Sequence, residues 1–349
     1  MQELLEQLQR QYAARIDEEA SGPDQVYAAV AIADIPAIAA TLLAHTGVRL
    51  VTVFAEDRIQ PEGVFNLYYV FEQRGDPTWL VLRAPTRHES FPSLASTLPA
   101  VNWQEREIFD WFGIEAEGHP NPRRVALHDN WPDVHPLRKD FPFDTVLPPF
   151  TGEQHVYRPT LGEGVFQIPV GPVHAGIIEP GHFNFAVAGE PILYLQLRMF
   201  YTHKGTEKLF EQFPVSKCVF LAESVSGDSA FSHGTAFCQA VEKAGGIVVP
   251  PHAEVIRTAL LELERIYNHV ADIGAIAMDV GFVIANAHAG RVREMVLAIN
   301  EELTGSRLLR GMVCLGGVRR DWSAHQVLAL RKALATVEQE FRDLMLLIE

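Results

Sequence analysis

Between Gly113 and Pro169 the chain carries Pro120, Pro122, Pro132, Pro136, Pro142, Pro148, Pro149, Pro159 and Pro169. Each proline lacks a backbone donor and holds its φ fixed, so a stretch this rich in them cannot propagate a helix or fill the middle of a sheet. It must run extended. Long extended segments of this kind serve as linkers or as straps laid over a neighbouring surface. The stretch divides the chain into two folded regions, and a length of 349 residues suits two domains. The boundary is placed near Phe150, which gives residues 1–150 with the strap and residues 151–349.

Ahead of the strap, Leu4, Leu5, Leu8 and Tyr12 recur near helical spacing and predict an amphipathic helix over 1–17. Val26–Ile32 reads as a strand, and Ile35–His45 as a helix with Asp34 as its cap. Leu50–Ala55, Phe65–Phe71 and Trp79–Arg83 read as three further strands, and Trp103–Phe112 as a short helix. Beyond Gly164, Val165–Val170 and Phe183–Val187 read as short strands beside Gly-, Pro- and His-rich loops. Helices then dominate: Gly234–Ala244, Pro251–Asp279, Phe282–Leu303 and Ser323–Ile348. The longest opens on a proline, tolerated in a first turn, and carries an apolar stripe through Ile256, Leu260, Leu263, Val270 and Ala277. The expected class is α+β: a small N-terminal α/β domain, an extended strap, then a mainly helical bundle with a small β element at its start. The last turn, Leu344-Met-Leu-Leu-Ile-Glu349, is apolar and has no terminating glycine or proline, which reads as a chain continued elsewhere.

Composition excludes several classes. A net charge of −15 with no basic run argues against a nucleic-acid-binding face, because neutralising phosphates needs clustered Lys and Arg. Cys218, Cys238 and Cys314 are far apart in sequence and form no disulfide framework, zinc ribbon or iron–sulfur ligand set, so no cysteine-held metal site is expected. Such cysteine usage suits a reducing cytosol. Met1-Gln-Glu-Leu-Leu shows no secretory signal pattern, and no apolar run is long enough to span a membrane. Membrane association is therefore expected only through partner subunits.

Glu105-Arg-Glu-Ile-Phe-Asp110-Trp-Phe-Gly113 leads through Gly118-His119-Pro120 to Arg123-Arg124 and then Pro136-Leu-Arg138-Lys139-Asp140. This resembles the signature of the 30 kDa hydrophilic subunit of respiratory complex I and of its hydrogenase relatives. In that family the domain is structural and its tail straps onto the neighbouring large subunit. Glu105, Arg106, Glu107, Arg123, Arg124, Arg138 and Lys139 are accordingly expected to be ion-pairing interface residues, since arginine forks match carboxylates well.

A second set of motifs follows: Gly171-Pro172-Val-His174 through Glu179-Pro180-Gly181-His182, then Arg198 to His203-Lys204-Gly205-Thr-Glu207. Arg257, Glu262-Leu-Glu-Arg265-Ile-Tyr-Asn268-His269, Arg293-Glu294, Gly305-Ser-Arg307 and Gly316-Gly317 through Asp321 come after it. Together these resemble the 49 kDa subunit of complex I. They are more similar still to the large subunit of group 4 [NiFe] hydrogenases, the formate hydrogenlyase type. The resemblance covers nearly all of residues 24–349.

Those hydrogenases carry Arg-Val-Cys-Gly-x-Cys-Gly-x-x-His at the loop that supplies two thiolates to nickel and iron. Here the same frame reads Ser224-Val225-Ser226-Gly227-Asp228-Ser229-Ala230-Phe231-Ser232-His233. Ser226 and Ser229 stand at both thiolate positions. A serine hydroxyl stays protonated near neutral pH and is a hard, poor ligand for a soft-metal centre. The resemblance also implies a quinone site with a second histidine and a tyrosine, but Ile178 and Gly227 occupy those positions.

His174, Glu179, His182, His203, Glu207, Asp228, Ser229 and His233 are expected to converge in one polar pocket. Two readings of it stay open: a proton- or redox-coupled site, because histidines and buried carboxylates titrate near working pH, or a hydrogen-bonded remnant that keeps the subunit folded. Asp228, between two serines, is also a candidate ligand for a hard cation. His269 and His288 are read as structural. The resemblance implies a hydrophilic-arm subunit of a complex I-like oxidoreductase, peripheral on the cytoplasmic face of the cell membrane. It would bind no cofactor of its own, with iron–sulfur clusters in a small partner subunit, membrane ion-translocating partners, and quinone or NAD linkage left open. A non-catalytic scaffold and a hydrogenase with a degenerate metal site are the alternatives.

Overall fold

The computed structural model describes residues 2–12, 16–22, 24–149, 156–174 and 178–349. The chain forms two compact units, residues 1–174 with 180–203, and residues 175–179 with 204–349. The boundary expected near Phe150 lies outside the described residues.

The first unit begins with α1 (Gln2–Gln11), whose Leu4, Leu5 and Leu8 are buried. The expected helix over 1–17 stops there, because Ile16–Ser21 (β1) pairs antiparallel with β2 (Gln25–Val30). Then come α2 (Ile35–Leu43), β3 (Val48–Arg58), the short α3 (Ile59–Glu62), β4 (Val64–Gln73) and β5 (Trp79–Thr86). The strands form one five-stranded sheet in the order β1-β2-β5-β4-β3, with β2 and β5 parallel and the other pairs antiparallel. Along β2 buried and half-buried residues alternate, the period-2 pattern of a strand with one face on a core. Asp34 precedes α2 but makes no capping hydrogen bond to it; Pro36 sits in the first turn instead. A short parallel pair, β6 (Ser90–Pro92) and β7 (Glu115–Glu117), flanks α4 (Asn102–Phe112).

The proline-rich strap is tied to the unit that precedes it. Asp110, fully buried near the end of α4, accepts the backbone N–H groups of Val125, Ala126 and Leu127 at 2.8–3.1 Å. Lys139 N–H reaches Asp57 at 2.8 Å. Gly113 closes α4 at φ +73°, and a Cβ there would meet the His135 ring at 2.5 Å, so both the turn and the passing strap require glycine. A three-stranded antiparallel sheet completes this unit: β8 (Val165–Val170), β9 (His182–Ala188) and β10 (Ile192–Arg198), in the order β10-β9-β8. The sequence reading sets the β element at the entry of the helical region with two strands; here its strands group with the first compact unit and a third strand, β10, is added.

The second unit is helical, as expected for the α+β class. It holds α5 (Thr206–Phe210), α6 (Val215–Ala222), α7 (Ala230–Gly245), α8 (Pro251–Asp279) and α9 (Val283–Thr304). The hairpin β11 (Val313–Cys314) and β12 (Gly317–Val318) leads to α10 (Ala324–Ile348). Ser323 and Gln326 form a capping box at the start of α10. Arg257 of α8 is fully buried and forks onto Glu242 of α7 at 2.7 and 2.9 Å. It also donates to the carbonyls of Cys314 and Gly317, while Glu242 accepts Gly316 N–H at 2.7 Å. One buried ion pair thus clamps the hairpin to two helices. No described helix is long and apolar enough to cross a membrane.

Candidate functional site

The Ser226–Ser229 loop joins α6 to α7, and its shape is set by contacts to its backbone. Lys204 Nζ donates to the carbonyls of Ser224 and, at 3.2 Å, Val225. The Asp228 carbonyl accepts from Tyr267 Oη at 2.6 Å and from Asn268 Nδ2 at 2.9 Å. At the start of α7 no N-cap side chain bonds the first turn. Glu264, buried on α8, does so across the helix pair: its two carboxylate oxygens accept Phe231 N–H and Ser232 N–H, each at 2.8 Å. A carboxylate there satisfies orphan donors and meets the positive end of the helix dipole. Burial, with Glu264 close by, pushes the Tyr267 phenol well above its usual value.

Behind the loop, Gly234 permits a close approach. A Cβ there would meet Val313 at 2.9 Å and Glu223 at 3.1 Å. Glu223 is buried, accepts Gly311 N–H at 2.8 Å, and has its pKa raised by burial. In front lies a cleft of about 900 Å³ lined by Asp228, Ser229, Ser232, Glu264, Asn268 and Arg293, among others from α8 and α9. The Asp228 carboxylate is exposed and lies 3.9 Å from Arg293.

Only part of the expected polar cluster meets in this cleft. Asp228 and Ser229 line it. His233 lies one turn into α7, its Nδ1 2.8 Å from the Ser229 carbonyl, and does not line it. Glu207 is exposed on α5 and Glu179 is exposed. His182 and His203 belong to the first unit: His182 Nδ1 lies 2.6 Å from Tyr157 Oη, and His203 packs on Trp111 with ring centres 4.7 Å apart. His174 also falls in the first unit. His288 pairs with Glu340 at 3.2 Å, while His269 lines the cleft.

Lys204, Glu264, Tyr267 and Arg293, which build the loop and cleft, carry no role that their local sequence announces. The available signal is the α8 spacing: Glu264, Tyr267 and Asn268 fall at i, i+3 and i+4, one helical face.

The residues expected at an interface of the 30 kDa-type domain make the following contacts within their own unit. Glu105 is fully buried, accepts Ser93 Oγ at 2.5 Å and Leu94 N–H at 2.7 Å, and has its pKa raised by burial. Arg106 donates to the carbonyls of Arg123 and Arg124 at 2.6 and 2.9 Å. Arg124 reaches Asp110 at 3.2 Å, and Arg138 reaches Glu89 at 3.2 Å. Glu107 and Arg123 lie at the surface of α4 and the strap, half-buried and exposed.

A nickel–iron centre held through this loop needs soft thiolates, and Ser226 and Ser229 offer hydroxyls, so the residues present do not fit it.

Residues 28–146 match the family model of the respiratory-chain NADH dehydrogenase 30 kDa subunit, and residues 279–349 that of the 49 kDa subunit. The chain is 37% identical over 340 residues to hydrogenase-4 component G of Escherichia coli (strain K12), an alignment covering 95% of this chain and 61% of that protein. It is 34% identical over 330 residues to formate hydrogenlyase subunit 5 of the same strain, covering 92% and 58%. It is 30% identical over 319 residues to the NADH-quinone oxidoreductase C/D subunit of Hydrogenobaculum sp. (strain Y04AAS1), covering 82% and 56%. The chain thus spans 56–61% of the length of these curated relatives. Among solved structures, the membrane-bound sulfane sulfur reductase (MBS), an archaeal respiratory membrane complex, contains a chain similar at a TM-score of 0.50 and 24% identity. The similarity covers 53% of this chain and 50% of that one and shows the fold alone.

Proposed function

The chain belongs to the fused 30 kDa/49 kDa-type subunits shared by complex I and its hydrogenase relatives, and on that premise we propose that it is a hydrophilic-arm subunit of a membrane-associated oxidoreductase that couples electron transfer to ion translocation without a nickel–iron centre of its own. One observation carries the reading. The loop that would hold the metal keeps its frame through Lys204, Glu264, Tyr267 and Asn268, all acting on backbone atoms, while its two ligand positions carry hydroxyls. The scaffold is retained and the metal chemistry is not.

In this role the redox centres sit in an iron–sulfur partner subunit, and ion movement in membrane partners. The chain joins them at the cytoplasmic face of the membrane. Asp228, Glu264 and Arg293 supply an ionisable wall to the cleft, so the second unit can respond to charge changes in its surroundings.

The test uses the intact complex purified from membranes. Metal analysis is expected to find iron but no stoichiometric nickel, and hydrogen uptake is expected to be absent. Ion transport in vesicles is expected to require this chain. One nickel per complex, or transport undiminished when the chain is deleted, overturns the proposal.

A further inference from the structure

The chain carries 29 Lys and Arg against 44 Asp and Glu, yet one cleft in the first unit is lined by four arginines and no carboxylate. Arg106, Arg123, Arg124 and Arg198 border a cleft of about 310 Å³ together with Trp103. Another side of it is β10, from which four successive residues, Leu195 to Arg198, line the cleft. A sheet face presents every second residue, so a consecutive run means that the cleft lies along the strand's edge. β10 is the terminal strand of its sheet, and its outer edge pairs with no other strand among the described residues. The N–H and C=O groups of such an edge are a template for another strand.

The carboxylates that pair with two of these arginines lie outside the cleft: Asp110 and Asp129, which meet Arg124 and Arg198, do not line it. Arg106 donates to neutral groups, the carbonyls of Arg123 and Arg124 and, at 3.3 Å, the Asn102 side chain. Its pKa is held below the usual guanidinium value by burial and, against the pull of Asp110, by Arg198 and Arg123. Trp103, 42% exposed and edge-on to Phe200, supplies an aromatic wall.

We propose that this cleft docks an extended acidic segment of a partner subunit, added as a further strand on the outer edge of β10 with its carboxylates against the arginines. The strand edge selects a peptide over a phosphate or lipid headgroup, because main-chain pairing supplies affinity that a headgroup cannot use. The arginine forks select carboxylates. Only the partner's identity rests on the chain's place in a larger complex; binding itself is tested on the chain alone, so the two proposals fail separately.

The probe is a fluorescently labelled acetyl-Glu-Val-Glu-Val-Glu-Val-amide titrated into the full 349-residue chain and followed by anisotropy. Binding that weakens with added salt is expected. Replacing the probe's Glu by Gln, or using the variant Arg123→Glu, is expected to weaken it about tenfold or more. Arg123 is exposed and outside the buried core, so circular dichroism is expected to be unchanged. A fully N-methylated probe, which keeps the charges but loses every strand donor, is expected not to bind. Equal binding of the N-methylated probe overturns the proposal. So does binding of inorganic phosphate or phosphatidylglycerol vesicles that matches the peptide and depends equally on Arg123, and so does no binding of the peptide at all.

Discussion

Replacing Glu264 by alanine tests whether one carboxylate fixes the loop. In the folded chain it satisfies two backbone donors, Phe231 and Ser232, at 2.8 Å each, at the first turn of a 16-residue helix. Loss of a helix cap costs about 1–2 kcal/mol. Removing a buried negative charge from the positive end of the dipole adds roughly 1 kcal/mol, more in partly buried geometry. The expected destabilisation is therefore about 2–4 kcal/mol, read by urea unfolding with far-UV circular dichroism. For a unit of this size it corresponds to a fall in Tm of about 5–12 °C. Glu264→Gln keeps one carbonyl acceptor and the side-chain volume, so it should lose about half as much. Hydrogen exchange at the Phe231 and Ser232 amides should quicken in the same order. Glu262→Ala, two residues away with an exposed carboxylate, is the control and should stay within about 0.5 kcal/mol. If Glu264→Ala behaves like that control, or if Gln is as damaging as Ala, the cap is not what holds the loop.

Other outcomes follow from the same contacts. The double variant Ser226→Cys/Ser229→Cys should leave stability within about 0.5 kcal/mol, because Lys204, Tyr267 and Asn268 hold the loop by its backbone; a loss above about 2 kcal/mol by denaturant titration contradicts this. Arg257→Ala strands the Glu242 carboxylate and should cost about 3–5 kcal/mol; a cost below about 1 kcal/mol would show that the clamp is dispensable. Burial raises the phenol pKa values of Tyr69 and Tyr267, so the folded chain keeps those protons longer than the unfolded chain. Their contribution is fully present below the ordinary phenol value near 10 and is lost as pH rises beyond it. Unfolding free energies measured near pH 9 and pH 11 should fall, and fall less in Tyr267→Phe; an equal fall removes Tyr267 from the account.

The regular helices are legible in the sequence because their signals are local. Pro251 and the apolar stripe through Ile256, Leu260, Leu263 and Val270 mark α8 with the observed bounds. Ser323 marks the start of α10. β1 is not legible: Ile-Asp-Glu-Glu-Ala-Ser has little strand preference and becomes a strand through its pairing with β2. β10 is absent from the expected strands although Ile-Leu-Tyr-Leu-Gln-Leu-Arg carries the alternation of one. At the candidate site, the replaced ligands can be read from Ser226 and Ser229. The partners of His182 and His203 cannot, since Tyr157 and Trp111, which they meet within the first unit, lie far from them in the sequence. Glu264 is hidden for a different reason. It caps a helix that begins more than thirty residues earlier, and such a contact leaves no local pattern.

The loop and its ligand positions are separable in this chain, and the reason is geometric. Tyr267 and Asn268 hold the Asp228 carbonyl, Lys204 holds the carbonyls of Ser224 and Val225, and Glu264 holds two amides of α7. Backbone groups are present whatever side chain follows, so changing a side chain at 226 or 229 leaves these anchors in place. A loop whose shape depended on its ligands would open when the ligands were exchanged. A loop anchored this way keeps its shape and loses only the chemistry. A change at Ser229, which lines the cleft, should therefore alter what the cleft can bind, whereas changes at Lys204 or Glu264 should alter whether the cleft exists. In the proposed role, assembly and transport should be sensitive to changes at Lys204 and Glu264 and indifferent to changes at Ser226 and Ser229.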